Sequence, residues 1–196
     1  MSSEQSTNSS YSNVSSDYQS PKNDIPSKSN NILLPSNPEV IYAEILQYIL
    51  FRNKSSNNYY EKIVLNKDGH FTYKLIPPIS LLDYLRRIIK FLNLEFSTLI
   101  ISMIYIDRIC KEKVYLNEFN IHRIMLIAIY VAYIYNEDCI HDNNYLALVS
   151  GIKKEEMVLL ENEFLELIEF KLFVSNETYD EYKQYFNEKL SNLYNN

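Results

Sequence analysis

Three histidines and two cysteines could ligate a metal or support a nucleophile: His70, His122, His141, Cys110 and Cys139. A structural zinc site gathers such groups at short fixed spacings, and a catalytic thiol or hydroxyl needs a base beside it. Neither pattern occurs here, and no two carboxylates stand out as an acid–base couple. The sequence therefore predicts no catalytic residue, no metal and no cofactor. Each cysteine reads as a small buried apolar side chain. One acid remains conspicuous. Asp107 follows a largely apolar stretch, Leu99–Ile106. A carboxylate buried without a partner is costly, so this position calls for one.

Composition narrows the function classes further. The chain has 196 residues, 19 Lys and Arg against 25 Asp and Glu, a net charge of -6, and 46% hydrophobic residues. That is enough apolar content for one sizeable core, with room for a tail. The acidic balance argues against nucleic-acid binding, which needs clustered cations for phosphate. Two glycines are too few for a dinucleotide fingerprint or a phosphate-cradling loop, and they disfavour a turn-rich β fold. The start MSSEQSTNSS lacks the apolar stretch of a secretory signal. The longest apolar runs, Leu99–Ile106 and Ile124–Tyr135, fall short of the roughly 20 residues that span a bilayer. These features imply an intracellular protein, nuclear or cytoplasmic, with no membrane partner.

The elements read as helices. Residues 1–36 form a Ser- and Asn-rich tail expected to be disordered; 18 of the first 37 residues are Ser or Asn. Asn37-Pro38-Glu39 then opens a helix to about Arg52, with Ile41, Ile45, Tyr48 and Ile49 as its stripe. Residues 53–76 break the pattern. Ile63-Val64-Leu65 and Phe71-Thr72-Tyr73 around Lys67-Asp68-Gly69 suit a short hairpin, or an irregular insertion. From Ser80, which with Asp83 resembles a capping box, helix follows helix. The runs at about 97–111 and 120–136 have no polar face, so other elements must surround them. A short helix at 144–149, an amphipathic one at 153–170 (Met157, Leu160, Phe164, Leu167, Ile168) and a last one from Asn176 (Tyr179, Tyr182, Phe186, Leu190, Leu193) complete the set. The fold class is all-α: five core helices over 77–175, with a flanking helix at each end.

Several runs then become recognisable in order: Pro77-Pro78-Ile79-Ser80-Leu81-Leu82-Asp83-Tyr84-Leu85, Tyr105-Ile106-Asp107-Arg108, Leu116-Asn117-Glu118-Phe119-Asn120-Ile121-His122-Arg123, Asn144-Tyr145-Leu146-Ala147-Leu148-Val149-Ser150-Gly151-Ile152, Leu160-Glu161-Asn162-Glu163-Phe164-Leu165 and Phe170-Lys171-Leu172-Phe173-Val174. Over about 77–175 the chain resembles the cyclin box, and within it the P-type (PHO-like) cyclins. The resemblance implies a non-enzymatic subunit that binds and activates a cyclin-dependent protein kinase. It implies an ion pair between Asp107 and Arg87, or Arg86; otherwise both arginines lie on the solvated face with Lys90. It places the partner surface on Val131, Tyr135, Glu161, Leu165, Phe170 and Leu172. Glu161 and Leu165, four apart, share one helical face. Ile134 stands where relatives carry a Lys, which removes a charge-assisted contact; Asp138 is expected to offer a compensating charge to a kinase Arg. Ser150 replaces one of two usual glycines, and the retained Gly151 can still take positive φ. A cyclin-fold adaptor that binds partners without activating a kinase is the alternative reading.

Overall fold

The computed structural model describes residues 37–65, 69–112, 114–138 and 142–194. The expected disordered tail, Lys67, Asp68, Cys139 and His141 lie outside these residues. Eight helices make up the described fold, and no strand occurs among the described residues.

Helix α1 (Pro38–Lys54) starts on a proline with Glu39 in its first turn and ends with Arg52 and Lys54, the charge order a helix dipole favours. Its core side is Ile41, Tyr42, Ala43 and Leu46; Tyr48, expected in the stripe, is exposed. The Tyr42 hydroxyl shares a 3.0 Å hydrogen bond with the Ser102 hydroxyl in the core.

The hairpin is not formed. Residues 59–65 are helix α2 (Tyr59–Leu65), and Phe71–Tyr73 come after it in a turn and loop. Two side chains explain the difference. Tyr59 is buried with its ring centroid 6.2 Å from that of Tyr115, and buried Phe71 meets Phe164 at 6.4 Å. Each sequence run finds a separate place in the core, so the two have no reason to pair with one another. The loop is pinned rather than floppy. The His70 backbone N–H donates to Glu163 Oε2 at 2.9 Å, and Arg123 donates to the carbonyls of His70 (2.7 Å) and Thr72 (3.3 Å). Arg123 also pairs with Glu156 and stacks on Tyr73.

The box proper is α3 (Leu81–Leu92), α4 (Phe96–Glu112), α5 (Ile121–Asn136), α6 (Asn143–Ser150) and α7 (Lys154–Leu167). Ser80 caps α3 as its spacing predicts: its hydroxyl accepts the Asp83 N–H at 3.0 Å. Leu81, Tyr84, Leu85, Ile88 and Leu92 are buried. Helix α5 is enclosed on all sides, every residue from Ile121 to Tyr133 except Arg123 being buried, and α4 lies against it. Each large aliphatic side chain so buried contributes about 1.5–3 kcal/mol. Buried Asn117 and Asn120 hold the entry to α5. Asn120 Oδ1 accepts the Asn117 N–H at 2.9 Å, and both amide groups donate to the Tyr115 carbonyl. Gly151 closes α6 at φ 73°, the left-handed turn expected of it.

Helix α8 (Asn176–Tyr194) packs on α1 and α4. Phe186 is fully buried, its ring 6.4 Å from Tyr42 and 6.0 Å from Phe96. Leu190 and Leu193, expected in the same stripe, belong to α8, and their side chains lie outside what the structure describes.

Candidate functional site

At one end of the bundle the tips of α4 and α5 and the chain leaving α7 enclose a groove of about 680 Å³. Tyr135, Phe170 and Phe173 line it beside Arg108 and Lys111. These three aromatics are respectively 54, 67 and 75% exposed. An apolar patch left in water at this density marks a contact surface.

The chain after α7 is bent sharply to make that patch. Glu169 and Phe170 both have φ 56°, in the left-handed region, and neither is glycine. Such residues cost on the order of 1–3 kcal/mol each and persist only where surroundings over-determine them. Here the Phe170 N–H donates to the Leu165 carbonyl at 2.9 Å, closing the helix end, and α4 grips the segment from Lys171 to Phe173. The Tyr105 hydroxyl donates to the Leu172 carbonyl at 2.7 Å. Arg108 donates through one Nη to the Lys171 carbonyl and through the other to that of Phe173 at 3.0 Å. Burial pushes the Tyr105 phenol up to about 12, so it remains a donor at neutral pH. Leu172 meanwhile turns inward to pack on the core.

On α7, which leads into the groove, Glu161 and Leu165 are half-buried. Burial raises the Glu161 carboxyl above the ordinary carboxylate range, and a hydrogen bond with the buried Tyr130 hydroxyl opposes that rise. Asp138, just beyond α5, is exposed. Ile134 is half-buried and packs against the core, and Val131 is only 4% exposed. The resemblance puts Val131 on the partner surface; it is a core residue, because α5 stays enclosed through Tyr133. Of the expected residues, Tyr135, Asp138 and Phe170 are exposed, and Ile134, Glu161, Leu165 and Leu172 are half-buried.

The expected Arg87–Asp107 pair is absent. Asp107 Oδ2 accepts the Tyr182 hydroxyl at 2.7 Å and lies 3.0 Å from Lys111 Nζ. Its side chain is 41% exposed, so it is not the isolated buried charge that the apolar run suggested. Arg87 donates to the Leu148 carbonyl at 3.3 Å, and Arg86 lies 3.6 Å from Glu39. Helix packing is the reason: α3 rests mainly on α1, α5 and α6, whereas Asp107 faces α8.

Sequence reasoning missed Tyr105, Arg108 and Phe173. Tyr105 and Arg108 are three apart and so share a helix face, the one legible signal; their target, a carbonyl run over sixty residues later, has no local signature. Cys110 is half-buried with its thiol pushed up to about 12 by burial, which leaves it an apolar packing group. Among the described residues no group of three or more His, Cys, Asp or Glu could hold a metal, and no helix is long and apolar enough to cross a membrane.

The five helices α3 to α7, in the order that the motifs anticipated, make a cyclin-box class of protein. The sequence matches the cyclin family over residues 2–172, and the chain belongs to that family. It is 34% identical over 159 residues to cyclin-U4-3 of Arabidopsis thaliana, covering 80% of this chain and 70% of the relative. It is 35% identical over 108 residues to cyclin-P4-1 of Oryza sativa subsp. japonica (54% of this chain, 51% of the relative). With the PHO85 cyclin-like protein psl1 of Schizosaccharomyces pombe it shares 34% over 115 residues, 57% of this chain and 47% of the relative. These names agree with the P-type, PHO-like character of the motifs.

Proposed function

We propose that the chain is the regulatory subunit of a cyclin-dependent protein kinase and holds that kinase in its active arrangement. The observation that carries this reading is the aromatic hook of Phe170 and Phe173 beside Tyr135, with half-buried Glu161 on the helix that leads into it. Apolar side chains at the centre with a partly desolvated charge alongside are the make-up of an interface hot spot. Tyr135, Asp138, Glu161, Leu165 and Phe170 form the contact surface; Ile134 and Leu172 support it from below. The membership in the cyclin family, and a relative named as PHO85 cyclin-like, support a kinase of the PHO85 type as partner.

The mechanism is differential binding. The face fits the active position of the kinase αC helix, in which the αC Glu pairs with the catalytic Lys, better than the inactive one. Moving a kinase from 1:99 to 99:1 in favour of the active state needs about 5.5 kcal/mol of such preference. Glu161→Arg combined with Leu165→Asp tests the face. Co-purification with the kinase is lost while the helical circular dichroism stays; retained co-purification overturns the reading.

Ile134 favours a second reading. With an aliphatic side chain packed on the core where relatives place a Lys, the chain would bind a partner as an adaptor without activating it. A kinase assay with and without the protein separates the two: binding without stimulated phosphotransfer selects the adaptor.

A further inference from the structure

The end of α7 holds two successive non-glycine residues, Glu169 and Phe170, at φ 56°. The carbonyls of the next three residues are all taken by two side chains of a single turn of α4. Arg108 takes those of Lys171 and Phe173, and Tyr105 takes that of Leu172. The outer residues of this short segment, Phe170 and Phe173, are the most exposed aromatics of the groove. Left to itself the segment would relax from the left-handed turn and lay its phenyl rings on the nearest apolar surface. The grip of α4 prevents both.

The geometry points to Arg108 and Tyr105 as positioning residues for the kinase contact: their clamp on carbonyls 171–173 keeps the strained Glu169–Phe170 turn in place, so that both phenyl rings are presented before the partner arrives. This rests on the kinase-binding reading above and names what prepares its surface. The guanidinium suits the task because its rigid planar fork presents a separate N–H to each of two carbonyls, whereas an ammonium offers all its donors from one point on a flexible stem. Order established in the free protein is order that binding need not impose, so the benefit falls on affinity.

The test compares the full chain with Arg108→Gln, Arg108→Lys, Tyr105→Phe and Arg108→Gln/Glu169→Asn, using a recombinant PHO85-type kinase as probe. Asn accepts left-handed φ more readily than Glu, so the double variant lowers the strain the clamp must resist. In the free protein, Arg108→Gln speeds amide exchange at Phe170, Lys171 and Leu172 at least tenfold while α5 amides stay protected. Kinase retention falls at least tenfold for Arg108→Gln, less for Arg108→Lys and Tyr105→Phe, and recovers in part in the Glu169→Asn double variant. Should Arg108→Gln fail to fold, Tyr105→Phe carries the same comparison. Wild-type retention by a folded clamp variant, unchanged exchange at 170–172, or a loss that Glu169→Asn leaves untouched overturns the proposal while the kinase reading stands. A wild-type chain that retains no kinase overturns both.

Discussion

Asp107 has two candidate settings, and thermodynamic cycles distinguish them. The cyclin resemblance pairs it with Arg87 across the box; the structure pairs it with the Tyr182 hydroxyl at 2.7 Å and with Lys111 at 3.0 Å. A hydrogen bond to a charged group contributes about 1.5–3 kcal/mol when shielded. Asp107 is 41% exposed, and solvent screening reduces the expected Tyr182–Asp107 coupling to about 1 kcal/mol. The Lys111 pair is more exposed still and contributes no more than about 0.3–0.5 kcal/mol. The cycle compares Asp107→Asn, Tyr182→Phe and their double variant by urea unfolding. A second cycle replaces Tyr182→Phe with Arg87→Met. The first shows coupling near 1 kcal/mol; the second is additive within about 0.3–0.5 kcal/mol, as for side chains that do not touch. For a chain of this size 1 kcal/mol moves the melting temperature by about 2–4 °C, which calorimetry resolves. Coupling of Asp107 to Arg87 above that margin, with none to Tyr182, refutes the placement of α8 against α4.

Three further outcomes arise from the core and its turns. Burial raises the phenols of Tyr42, Tyr84 and Tyr105, and that of Tyr182, where the Asp107 bond adds to it; Tyr105 reaches about 12. Above pH 10 the unfolded chain loses these protons and the folded chain keeps them, so stability falls with rising pH, at up to about 1.4 kcal/mol per pH unit for each such tyrosine. Urea midpoints that stay level from pH 9 to 11 would contradict this. His122 is buried with Nε2 3.1 Å from the Ile79 carbonyl and its ring 5.8 Å from Tyr84, and burial lowers its pKa. The unfolded chain therefore takes up a proton first as pH drops below 6.5, and stability present above that pH declines; in His122→Phe the part of the decline between pH 6.5 and 5.5 disappears from unfolding titrations. Gly151→Ala meets no neighbour within 4 Å but must hold φ 73°, which costs about 1–2 kcal/mol in denaturant melts; a neutral substitution would mean that the α6 turn relaxes.

Much of the helical frame was legible because it is written at short range. The Ser80 cap, Pro38 at a helix start, Gly151 at a helix end and the apolar stripes of α3 and α7 are patterns over three or four residues, and they act over the same distance. The apolar residues of α4 and α5 fall on nearly every side of those helices and so required enclosure, since water would otherwise meet an apolar face. The candidate site was legible only in part. Glu161, Leu165 and Phe170 could be named from ordered motifs, but the same motifs put Val131 on the surface, and only the packing of α5 shows it buried.

What the sequence by itself determined is therefore the number and order of the box helices and the enclosure of two of them. The tertiary structure alone decided the rest: residues 59–65 wind as a helix because Tyr59 and Phe71 each find a different aromatic partner, and Asp107 turns to a tyrosine of α8 rather than an arginine of α3. It also decided that the left-handed turn at 169–170 holds. A hydrogen bond between residues more than sixty positions apart leaves no period in the chain, and its energy exists only once the helices that carry the two groups have packed together.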